Sequence, residues 1–60
     1  MIKLIKNSKY EYDAYWNESN KKWTGILSAT MYKDESSIPE VENGQVVDYF
    51  ETVGLTKTNA

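Results

Sequence analysis

Lys9 to Tyr32 reads KYEYDAYWNESNKKWTGILSATMY, and the fold depends on how its two aromatic halves meet. In Lys9–Trp16 the even positions hold Tyr10, Tyr12, Ala14 and Trp16, and the odd ones Lys9, Glu11, Asp13 and Tyr15. Period-two alternation marks a half-buried strand, because successive side chains of an extended chain point to opposite faces. Beyond the polar segment NESNKK the parity reverses. Trp23, Gly25, Leu27, Ala29 and Met31 share one side, and Thr24, Ile26, Ser28, Thr30 and Tyr32 the other. Folding the two pieces with Ser19-Asn20 at the tip sets Glu18 against Lys21, Asn17 against Lys22 and Trp16 against Trp23. Farther out it sets Ala14 against Gly25, Tyr12 against Leu27 and Tyr10 against Ala29. Both apolar sets then share a face, and a one-residue slip would turn one of them over. The pattern predicts a β-hairpin over Lys9–Tyr32 with Tyr10, Tyr12, Trp16 and Trp23 buried. Tyr15, Ile26 and Tyr32 fall on its opposite, polar face.

Upstream, Ile2, Leu4 and Ile5 mark a short strand that pairs beside Tyr10–Trp16 across Asn7-Ser8, an edge strand guarded by Lys3 and Lys6. Downstream, Gln45–Val53 has two readings. Val46, Val47, Tyr49, Phe50 and Val53 fit one face of a helix with Gly54 as its C-terminal cap. The same residues are good strand formers, and Asn43-Gly44 before them is a hairpin-turn signal, so a strand is the favoured reading. The expectation is an all-β fold, a small antiparallel meander of about four strands, in which the C-terminal piece is a short helix in the alternative reading. One domain spans 1–54, with a flexible tail over 55–60.

Composition narrows the function. A chain of 60 residues buries only about 60% of its unfolded surface, and such domains usually need a further stabiliser. With no cysteine and no histidine, disulfides and Cys/His zinc frameworks are excluded, and the acidic residues lack the spacing of a calcium loop. No metal or other cofactor is expected. A partner chain is the remaining stabiliser, which predicts a homodimer or higher homo-oligomer.

The formal net charge is −2, and all seven basic residues are lysines, dispersed apart from Lys21-Lys22. Arginine, the bidentate reader of phosphate and guanine, is absent, which argues against binding double-stranded nucleic acid. No segment has the length of a membrane span, and the first apolar run is too short for a signal-peptide core, so a cytoplasmic location is expected. Asn17-Glu18-Ser19 fits the glycosylation sequon but reads as a turn.

Enzymatic chemistry fails at the inventory: no histidine base, no cysteine nucleophile, no glycine-rich phosphate cradle. Glu11 and Asp13 share a strand face, but a chain this small encloses no cleft around them, and they read as a solvated face. The expected function is a non-enzymatic protein-interaction module, of the scale of the small inhibitors and regulators that phages and mobile elements encode. Its partner-binding residues are read as Tyr15 and Tyr32 with the carboxylates of the loop KDESSIPEVENG, namely Asp34, Glu35, Glu40 and Glu42. The alternative is single-stranded nucleic-acid or carbohydrate binding on an aromatic sheet face made by Tyr10, Tyr12, Trp16 and Trp23.

Overall fold

Apolar residues at consecutive positions, Leu4 and Ile5, suit a strand covered on both faces, and the first strand is the one at the centre of the sheet. The computed structural model describes residues 2–54, so the tail read over 55–60 lies outside the described residues. Four strands form one antiparallel sheet: β1 (Lys3–Asn7), β2 (Tyr15–Asn17), β3 (Lys22–Thr24) and β4 (Gly44–Asp48), in spatial order β3-β2-β1-β4. The first three strands make a meander. The fourth returns through a long connection to the other side of β1, the strand order of a Greek key. The all-β antiparallel class holds, while the edge placement expected for β1 is corrected: β1 is paired on both sides, and Leu4 and Ile5 are fully buried.

The hairpin forms in the register that the alternation selects, with Trp16 opposite Trp23 and Asn17 opposite Lys22. Glu18 and Lys21 are ion-paired across its tip. Its arms are shorter than expected, for two local reasons. On the incoming side the Asn7 side-chain carbonyl accepts the amides of Lys9 (2.8 Å) and Tyr10 (3.0 Å), an Asx-type turn that bends the chain out of the sheet until Ala14. On the outgoing side Gly25, a weak strand former, opens a 3₁₀ turn over Ile26–Ser28 that is closed by Ser28 N–H to Gly25 O at 3.1 Å. The chain then doubles back. Thr30 N–H donates to Trp16 O (3.0 Å), and Tyr32 exchanges two backbone bonds with Lys3 (2.8 and 2.9 Å), so Thr30–Tyr32 fills the space between β1 and β2.

Gln45–Val53 contains both elements that the sequence allowed. Gly44–Asp48 is β4, paired with β1 from Lys3↔Asp48 to Asn7↔Gly44, and Tyr49–Val53 is a short helix, α1. Asp48 divides them: its carboxylate accepts the amides of Phe50 (2.9 Å) and Glu51 (3.1 Å), the geometry of an N-cap. Gly54 ends the helix at φ 80°, the left-handed cap position. Before β4, Asn43 takes φ 66° and Gly44 N–H closes a turn on Val41 O (2.8 Å). A Cβ on Gly44 would lie 2.6 Å from Ile5 Cγ2, so glycine lets β4 come this close to β1.

Candidate functional site

Alternation along the paired strands assigns two faces. Leu4, Tyr15 and Val47 lie on one, and Ile5, Trp16, Trp23 and Val46 on the other. The second face carries the candidate site. Trp16 turns its backbone carbonyl toward Thr30 rather than β3, so Trp16 and Trp23 form a non-hydrogen-bonded rung, the kind in which facing side chains stand closest. Their rings meet edge to face, with centroids 5.1 Å apart. Tyr10 continues the row, 6.3 Å from Trp23, and Tyr12 stacks on Tyr10 at 5.0 Å. The four rings make one strip that grows more exposed along its length. Both tryptophans are half-buried, Tyr10 is 43% exposed and Tyr12 is 67% exposed.

The ends of the strip are fixed by polar groups. Trp16 Nε1 donates to Glu18 Oε1 at 2.7 Å, and the other oxygen of Glu18 takes the Lys21 ammonium. Those two partners, Lys21 first and then the Trp16 indole, hold the Glu18 carboxyl below its ordinary value, so it is charged at neutral pH. Toward the exposed half, the Asn7 side-chain carbonyl accepts the Tyr10 amide, next to the terminal Tyr12, and Asn7 itself is buried. Asn7 is the positioning residue that sequence reading missed; its signal was an asparagine at a turn two and three residues before the amides it captures.

Across from the tryptophans runs the loop from Pro39 to Asn43. The two sides enclose a groove of about 470 Å³ lined by Trp16, Trp23, Glu18, Lys21, Glu40 and Glu42 together with other residues of the loop. Three carboxylates and one ammonium give this groove a negative balance. Members of two groups that were alternatives in the sequence, Trp16 and Trp23 of the stacking face and Glu40 and Glu42 of the acidic loop, are therefore walls of one groove, with Tyr10 and Tyr12 outside its lining. Asp34 and Glu35 are not brought into it. Asp34 caps a 3₁₀ turn (Glu35–Ser37) by accepting Ser36 N–H at 3.1 Å, and Glu35 lines a separate groove beside Ile38 and Val46.

Two expectations are corrected here. Tyr10 and Tyr12, expected in the core, are on the surface, because the Asx turn takes Tyr10–Asp13 out of the strand whose alternation assigned their face. Tyr15 and Tyr32, expected on a partner-binding surface, are in the core at 3% and 8% exposure. Tyr15 lies across from Lys6 on the same face as Leu4, and Tyr32 is inserted between β1 and β2. The Tyr32 hydroxyl is buried without a hydrogen-bond partner among the described residues, and burial, then the Glu18 charge, raises its pKa.

Glu11 and Asp13 are exposed, and Asp13 pairs with Lys6 at 3.3 Å. Among the described residues no three acidic side chains converge as metal ligands, and no helix is long and apolar enough to cross a membrane. No protein family, curated protein or solved structure is significantly similar to this chain.

Proposed function

We propose that the chain is a non-enzymatic protein-interaction module that docks on a basic surface of another protein through the strip Tyr10, Tyr12, Trp23 and Trp16 and the acidic rim of Glu40 and Glu42. The observation that carries this reading is the placing of both tryptophans opposite two exposed carboxylates across one groove. Tryptophan and tyrosine are enriched among the few residues that dominate the energy of protein interfaces, and a rim of one charge sign speeds encounter with a partner of the other. Lysine or arginine side chains suit such a groove twice over, since the ring faces and the carboxylates both attract cations. A cytoplasmic setting is part of this proposal.

The test is capture from a lysate of the producing cell with the immobilised chain as bait, followed by titration of the captured protein. Trp23→Ala is expected to weaken binding by about 2 kcal/mol. The Glu40→Gln/Glu42→Gln pair is expected to slow association and flatten its salt dependence. Unchanged binding by both variants would move the interface off this groove.

One observation favours a second reading, sugar or single-strand binding: Tyr12 and Tyr10 form an open stacked pair at the exposed end of the strip. The carboxylates beside the tryptophans oppose a phosphate backbone more than they oppose a neutral sugar. Protection of tryptophan fluorescence from acrylamide by an oligosaccharide or oligonucleotide would favour this reading over protein docking.

A further inference from the structure

The strand order leaves two edges, and they differ in how they are guarded. β3 is three residues long and carries exposed Lys22, a form that keeps an edge from pairing with another sheet. β4 is five residues, GQVVD, with neither lysine nor proline, and Val46 at its middle is 48% exposed. The hydrogen bonds show which of its backbone groups face outward. Tyr49 N–H donates to Ile2 O (2.9 Å) and Ser8 N–H to Asn43 O (2.8 Å), so the hydrogen-bonded rungs between them are Leu4/Val47 and Lys6/Gln45. Lys3 and Asn7 point the other way, bonding Tyr32 and Ala14. Gly44, Val46 and Asp48 thus direct their backbone groups away from β1. Among the described residues the Val46 N–H and C=O and the Asp48 N–H have no partner on that side.

We infer that this edge is where a second copy of the chain adds, by antiparallel β4–β4 pairing about a two-fold axis at Val46. In that register each Val46 exchanges N–H and C=O with the second copy's Val46, and each Asp48 N–H reaches the second copy's Gly44 carbonyl. Every outward residue of the strand is then engaged. The register also selects itself by charge and by space. It sets Gln45 against Val47 and Asp48 against Gly44, with no like charges opposed and no side chain opposite the capping carboxylate. Centring the axis on Asp48 would face two carboxylates. Centring it on Gly44 would need an amide already bonded to Val41 O. An apolar groove of about 360 Å³, lined in part by Ile38, Pro39, Val41 and Val46, opens beside the same edge, so the second copy also covers apolar surface. Such pairing adds burial to a fold whose own core is small.

Sedimentation of the full chain over a range of concentrations tests the inference, with amide exchange as a second readout. The expected mass at high concentration is twice 6.9 kDa, with Val46 and Asp48 amides increasingly protected as the protein is concentrated. Val46→Pro removes an N–H that β1 does not use, so it leaves the sheet intact and is expected to weaken self-association by about thirtyfold through two lost hydrogen bonds. Val46→Lys, an edge-guarding residue, is expected to act the same way and decides the matter if the proline variant fails to fold. Trp23→Ala is expected to leave the dimer unchanged. A wild-type chain that stays monomeric up to millimolar concentration overturns the inference. A dimer that survives in folded Val46→Lys with fast exchange of the amide at position 46 overturns it as well.

Discussion

Two residues show how the interior was assembled at the cost of local polar groups. Tyr32 brings a large ring between β1 and β2, and with it a buried hydroxyl that makes no well-formed hydrogen bond among the described residues, the Thr30 side chain being its polar neighbour. An unpaired buried donor forfeits hydration, so Tyr32→Phe is expected to stabilise the fold by about 1 kcal/mol in urea denaturation. A destabilised phenylalanine variant would mean that the hydroxyl has a partner in solution. Asn7 is the opposite case, a buried amide whose carbonyl serves two backbone donors. Asn7→Ala is expected to cost about 2 kcal/mol and to diminish the near-ultraviolet circular dichroism of the ring strip, because Tyr10 loses its anchor. Asn7→Asp retains the acceptor and is expected to recover most of both signals.

At the scale of elements, the junction of β4 and α1 shows why one stretch satisfied two patterns. Val46 and Val47 belong to a ladder with β1, while Tyr49–Val53 has only the span of a short helix, and the Asp48 carboxylate closes the first element and starts the second. Its pKa is held below the ordinary 3.8 chiefly by the Glu51 amide, with the Phe50 amide and the Lys3 ammonium adding to this and partial burial opposing it. A depressed carboxyl stabilises the fold fully above its unfolded value and loses that contribution as pH falls through the folded one. The Phe50 and Glu51 amides are therefore expected to stay protected from exchange at pH 4 and to lose protection as the pH falls further below 3.8. Asp48→Asn, which keeps an acceptor but cannot titrate, is expected to lack this transition. An identical acid profile in that variant would place the transition elsewhere.

For the whole molecule, stability rests on few side chains. Leu4 is wholly shielded from solvent, and Ile5 beside it is nearly so. Leu4→Ala is expected to cost about 3 kcal/mol, against the roughly 3–5 kcal/mol that a single core of this size supplies. Thermal or urea unfolding is therefore expected to show a substantial unfolded population of that variant near room temperature.

The sequence by itself determined the antiparallel all-β class, the Trp16/Trp23 register and the Glu18/Lys21 tip, because these are settled by neighbours within a few residues of one turn. It also determined the residue types of the candidate site, four aromatic rings and an acidic loop. Tertiary structure decided which rings are inside. Alternation assigns faces only while the chain stays extended, and the Asn7 turn and Gly25 confined β2 and β3 to three residues each. Burial then followed from long-range partners: β1 came to the centre because β4 returned to its free side, and Tyr15 and Tyr32 went under that assembly while Tyr10 and Tyr12 stayed outside. The joining of the tryptophans to Glu40 and Glu42 in one groove is likewise tertiary, since those residues are distant in sequence and meet only where the returning chain crosses the sheet.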